Sequence, residues 1–336
     1  MLEIGVAGLT LLAVVAYGVL GGADFGGGVW DALASGPRKQ DQRDAIGHAM
    51  GPVWEANHVW LIFVIVLLFS AFPPAYSALS VGLFTLFHLV LLGIILRGAS
   101  FVFRAYSPES GRGLGRGAER SRSRWGLLFG VASVITPVLL GMSLGAVSAG
   151  RFRIGPDGVA ADGVPWLAPV ALAMGAFALA MCAFIAAVFL AYETAGELRE
   201  DFRRRALWAG TAVVALSVLL LPLLVLQAPH LWDGLRAPRT LPVVVLGVLA
   251  ALASGWWLRT RRFRLARLAA TGQVACLLAG WGLAQYPYVI YPDLTLYDAA
   301  APAPTLRFIL FTLPLGLAVL LPSLWFLFRV FKGDVL

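Results

Sequence analysis

Charge is what this sequence most lacks. Only 13% of its 336 residues are Asp, Glu, Lys or Arg, about half of the roughly 25% that a soluble domain carries. A water-soluble chain of this length cannot hide a 60% hydrophobic composition in its interior, and disorder is excluded because disordered chains are poor in apolar residues. Cysteine is nearly missing. Cys182 and Cys276 each sit inside an apolar run, too few for a disulfide framework or a thiolate metal cluster. Histidine is scarce too, with only His48, His58, His88 and His230. That is a poor inventory for ligating haem iron or another metal in this chain, and His88, nine residues before Arg97, has no evident second ligand. A cleavable leader is not expected, since the first apolar run follows Glu3 without a basic region and is too long for a signal core.

What is present is sequence suited to hydrocarbon. A helix needs about 20 apolar residues to cross a bilayer, and nine such runs are read: 4–30, 50–72, 76–103, 125–149, 166–192, 206–227, 241–258, 268–284 and 305–328. A net charge of +8 would suggest nucleic acid in a soluble protein; here the basic residues flank the runs. Twenty of the 26 Lys and Arg fall in 31–49, 104–124, 193–205, 259–267 and the C-terminal tail. Basic connections stay in the cytoplasm, which predicts the N-terminus outside and the C-terminus inside. No repeat or soluble domain interrupts this single polytopic domain, 1–336. The longest outer connection, 285–304, is rich in Tyr, Pro and Ala and poor in charge, and is expected to pack on something rather than float in water.

Three charges lie inside runs: Asp24, Glu55 and Arg97. A charge at mid-span costs about 3 kcal/mol on insertion scales, so each needs a reason. Counted from the cytoplasmic ends of their helices, all three sit ~8–11 Å deep. Two readings stay open. The charges form a buried salt bridge that fixes helix register, or they form a proton uptake route in which burial tunes a carboxylate. The segment Trp54-Glu55-Ala56-Asn57-His58-Val59-Trp60 puts His58 one turn beyond Glu55, so an acid, an amide and an imidazole are stacked to pass protons inward. Trp54 and Trp60 are alternatively anchors at the membrane interface. In Gly21-Gly22-Ala23-Asp24-Phe25-Gly26-Gly27-Gly28 no Lys follows, which excludes a phosphate loop. Gly18, Gly22 and Gly26 recur every fourth residue and predict close helix approach.

Gly22-Ala23-Asp24-Phe25-Gly26-Gly27-Gly28 and Gly51-Pro52-Val53-Trp54-Glu55-Ala56-Asn57-His58-Val59-Trp60-Leu61 resemble the N-terminal signature of subunit II of cytochrome bd-type quinol oxidases. Arg97 stands where that family has an Arg at the end of its third helix. A second match runs from Tyr286-Pro287-Tyr288 through Pro292-Asp293-Leu294-Thr295 to Ala299-Ala300-Ala301-Pro302, and looks most like the cyanide-insensitive branch.

The resemblance implies an all-α integral membrane fold of nine transmembrane helices. These form two four-helix bundles (about 1–150 and about 165–285) and one peripheral helix (about 305–330), in a bacterial cytoplasmic (inner) membrane. It implies a haem-free subunit paired with a subunit I that carries b-type and d-type haems. There quinol is oxidised and oxygen reduced to water, with protons drawn from the cytoplasm and none pumped. Glu55 is then part of a proton path at the subunit interface, and Asp24 and Arg97 match the family's other buried charges. Some members hold a structural quinone in subunit II, for which the neighbourhood of Trp54 and Trp60 is the candidate site, and a small single-span accessory subunit is a further candidate partner. Asp is common in the family where this chain has Glu55, and a neutral amide where it has His58, so a step through Asn57 to His58 rests on the residues alone. Two alternatives remain: a proton-coupled secondary transporter built on Asp24, Glu55 and Arg97, although no paired halves are legible, and an assembly partner whose charges only fix packing.

Overall fold

Lipid cannot hydrogen-bond a backbone, so apolar runs in a bilayer satisfy their own N–H and C=O groups as helices. The computed structural model describes residues 1–105, 116–155, 158–161 and 164–332. Its elements are α1 (Leu2–Ala32), α2 (Lys39–Ala71), α3 (Pro73–Gly82), α4 (Phe84–Ala105), α5 (Arg116–Ser148), β1 (Phe152–Gly155), β2 (Gly158–Ala161), α6 (Pro169–Glu193), α7 (Gly196–Gln227), α8 (Pro229–Arg236), α9 (Leu241–Arg259), α10 (Phe263–Gln285), β3 (Tyr288–Ile290), β4 (Leu294–Thr295) and α11 (Ala303–Lys332).

Among the described residues seven helices are long and apolar enough to cross a membrane: α1, α4, α5, α6, α7, α9 and α11. An eighth is α2 if its two halves, Lys39–Gly51 and Ala56–Ala71, are taken together across a 47° bend. Pro52 lies in that bend and has no N–H to return to the carbonyl four residues back. The remaining expected run, 268–284, falls in the helix α10, where Arg264, Arg267, Thr271 and Gln273 dilute the apolar residues. The expected run 76–103 needs correcting, because it is two helices. The chain turns at Leu83, which is 1% exposed beside the buried Leu86. An apolar stretch reads the same whether it is straight or bent, so the turn left no mark in hydropathy.

Helices in lipid gain little from hydrophobic burial against each other and associate through close packing of small residues. α1 is the hub, packed on α2, α5, α6 and α10, while α11 rests on α1 and α2. The expected small-residue stripe supplies one such contact. A Cβ on Gly26 would lie 1.8 Å from the Cys182 carbonyl oxygen of α6, so the two backbones meet there. Gly28 faces α5, where a Cβ would stand 2.1 Å from Ser133 Oγ. Trp30 completes the α1–α6 seam by donating its indole N–H to the Ala183 carbonyl at 2.8 Å.

The long connection before α11 packs as expected. Ile290, Leu294, Leu296 and Ala299 are buried against Leu67, Phe72 and Leu86, and Ala301 N–H donates to the Ala71 carbonyl at 2.8 Å. Asp293 clips this connection to the β1–β2 hairpin, accepting from Arg153 Nε at 2.9 Å, from Arg153 Nη2 at 3.0 Å and from the Ile154 N–H at 2.8 Å. The Arg153 hydrogen bonds, aided by the Ile154 N–H, hold the Asp293 carboxyl below its ordinary range. A carboxylate shifted down stabilises the fold above its unfolded pKa of about 3.9 and loses that contribution as pH falls through the lower folded value. Asp293→Asn is therefore expected to lower the thermal midpoint of the assembled protein at about pH 6, with the difference from wild type shrinking as pH falls below about 4.

Candidate functional site

Four helices bring one charged cluster together in the apolar interior. Asp24 of α1 is 1% exposed and Arg97 of α4 3%, and they form a bidentate pair: Nη1 to Oδ2 and Nη2 to Oδ1, both 2.6 Å. Planar fork-to-fork contact is the strongest geometry open to these groups. Arg97 Nη2 also donates to the Asp24 carbonyl at 2.9 Å, and Nε donates to Ser133 Oγ of α5 at 2.9 Å. The guanidinium lies 5.1 Å and 4.9 Å from the ring centroids of Phe25 and Phe129, a cation–π setting that adds to the pair when desolvated. From α2, Asn57 Nδ2 donates to Asp24 Oδ2 at 2.8 Å. Three N–H groups thus converge on the two carboxylate oxygens of Asp24. Asn57 Oδ1 is buried with no hydrogen-bond partner among the described residues.

The expected residues divide around this cluster. Asp24, Asn57 and Arg97 come together. His58 turns to its own helix, its Nδ1 on the Trp54 carbonyl at 2.7 Å. A carbonyl only accepts, so Nδ1 is the donor in this bond. No direct bond joins His58 to Asn57 or Asp24. The backbone of Glu55 belongs to α2, while its side chain lies outside what the structure describes. Trp54 stacks on Phe101 at 5.8 Å, edge-on to His58 at 5.1 Å. Trp60 is 9% exposed with Phe63 edge-on, which corrects its reading as an interfacial anchor. A quinone near Trp54 and Trp60 would have to share rings already engaged by Phe101 and Phe63. His88 bonds the Phe84 carbonyl of its own helix at 2.7 Å. Among the described residues no group of three His, Cys, Asp or Glu is placed to hold a metal ion.

Sequence reading missed Ser133, Phe25 and Phe129. A Ser in an apolar span ordinarily bonds the carbonyl four residues back, as Ser143 does to Leu139 at 2.9 Å, so nothing marks one that serves a neighbour. The only hint was Gly28, whose missing side chain admits Ser133 beside Arg97.

The sequence profile for subunit II of the cytochrome bd terminal oxidase matches residues 2–331. The chain belongs to that family. As a cytochrome bd subunit II it is similar to the putative cytochrome bd menaquinol oxidase subunit II of Bacillus subtilis, 23% identical over 96% of this chain and 93% of the relative. It is also similar to the cytochrome bd-I ubiquinol oxidase subunit 2 of Escherichia coli, 26% identical over 60% of this chain and 51% of that one. A solved structure, the bd oxidase from Geobacillus thermodenitrificans, shares the fold at a TM-score of 0.82, with 24% identity and 99% of both chains covered. The cytochrome bd subunit II fold is thus the frame in which α1, α2, α4 and α5 hold the Asp24–Arg97 pair.

Proposed function

We propose that this chain is the haem-free subunit II of a cytochrome bd-type quinol:oxygen oxidoreductase. In this reading it has nine transmembrane helices in two four-helix bundles with α11 peripheral, and its arginine-rich connections face the cytoplasm. The b-type and d-type haems belong to a subunit I, where quinol is oxidised and oxygen reduced to water. This chain contributes a proton path from the cytoplasmic side along Trp54–Trp60 of α2. Family membership and fold favour this reading over a secondary transporter.

The observation that carries the path is the open Asn57 Oδ1 next to a fully engaged ion pair. Asp24 accepts from three N–H groups, so both its oxygens are already engaged and its part is to anchor Arg97. Asn57 Oδ1 can accept from a water, which makes it a stepping point between Glu55 and the interior. His58, the next residue and one turn beyond Glu55, offers Nε2 for a step reached through water. Glu55→Gln keeps shape and removes the titrating group, so it is expected to slow oxygen consumption at least tenfold in the assembled oxidase while the haem absorption of the complex stays unchanged. Wild-type turnover in this variant would remove Glu55 from the path. Loss of the haem spectrum would assign it to assembly.

A further inference from the structure

α9 is sparsely covered, resting on α10 with slighter contacts to α7 and α8. Val245, Leu249, Leu252 and Trp256, spaced to form one stripe along it, are all exposed. At its arginine-rich end Leu252, Ala253, Trp256, Trp257 and Arg259 line an open groove of about 450 Å³. Arg259 does not extend away from this groove. Its Nη1 lies 3.6 Å from where a Cβ of Gly255 would stand, so the side chain folds back one turn over a position that has no side chain to block it. No acid among the described residues pairs with it. Glu200 on the neighbouring α7 is shared by Arg203, Arg204 and Arg261. Arg262 and Arg264 are exposed beside them.

A cation with no acid beside it among the described residues, bordering a groove of indole and leucine at the end of an apolar stripe, has a matching ligand. That ligand carries a phosphate at one end and hydrocarbon at the other. Guanidinium presents paired N–H groups that suit phosphate oxygens, Trp rings sit well at the depth of lipid glycerol, and surplus arginines favour a lipid with net negative charge over a zwitterion. We propose that this groove holds one anionic diacyl phospholipid of the phosphatidylglycerol type, its phosphate on Arg259 and an acyl chain along Trp256, Leu252 and Leu249. The proposal is independent of the proton path and of the partner's haems.

The test uses the chain purified with its native partners. Lipids retained in mild detergent are counted by native mass spectrometry. After delipidation, the thermal midpoint is followed as phosphatidylglycerol or phosphatidylcholine is added in mixed micelles. Wild type is expected to retain one anionic lipid and to rise in midpoint with phosphatidylglycerol at an apparent affinity at least tenfold above that for phosphatidylcholine. Arg259→Gln removes the charge, and Ala253→Leu, at a residue that lines the groove, fills it while keeping the charge; each should abolish both the retained lipid and the tenfold preference. Unchanged haem absorption and oxygen consumption in lipid-rich membranes check that both variants are assembled. Equal retention by wild type and both variants, equal response to the two lipids, or a protein chain or quinone occupying the groove would each overturn the proposal.

Discussion

Arg97→Ala is expected to destabilise the assembled protein by about 3–5 kcal/mol, because it strands the Asp24 carboxylate in an apolar interior without its partner. The loss reaches beyond one ion pair. Arg97 donates to both Asp24 oxygens, to the Asp24 carbonyl and to Ser133, so α1, α4 and α5 all lose a polar contact that lipid cannot replace. The check is the yield and thermal midpoint of purified complex, both of which should fall sharply. A double variant, Asp24→Leu with Arg97→Met, separates structure from chemistry, since apolar replacements of buried pairs are often neutral or stabilising. If the pair only fixes packing, the double variant recovers both yield and oxygen consumption. If its charges also serve the proton path, yield recovers and turnover stays low.

Gly26→Ala should be the other severe change, at about 3 kcal/mol, the upper end of the cost of overpacking a filled interior. The added methyl would stand 1.8 Å from the Cys182 carbonyl oxygen and 2.6 Å from the Ala186 Cβ. Neither is the end of a flexible side chain, so α1 and α6 must separate. Gly8→Ala on the same helix meets nothing within 4 Å and should leave the midpoint within about 0.5 kcal/mol of wild type. Comparing the two by thermal denaturation isolates the seam from any general effect of glycine replacement. Equal midpoints would show that α1 and α6 do not meet as closely as the fold places them.

What was legible in the sequence follows from what lipid makes expensive. Charges in hydrocarbon demand compensation, so Asp24 and Arg97 announced a meeting that the fold confirms, and a stripe of glycines announced close contact without naming its target. Apolar residues carry no such demand. The turn at Leu83 replaces one expected span with α3 and α4 at no polar cost and was invisible for that reason. Trp60 looked like an anchor because Trp is common at interfaces, yet its position on α2 buries it; only tertiary context decides that. Ser133 was hidden because a Ser hydroxyl in a span ordinarily bonds a carbonyl of its own helix.

The Asp24–Arg97 pair joins residues 73 positions apart. During synthesis the first helix carries an unpaired carboxyl group, and its partner does not exist until two further helical segments have been made. The incomplete chain therefore bears a defect that the finished one lacks, one a membrane protease or insertion factor could read. A chain halted before Arg97 should be degraded faster than the same fragment carrying Asp24→Leu, which makes the first helix a timer for the arrival of the fourth.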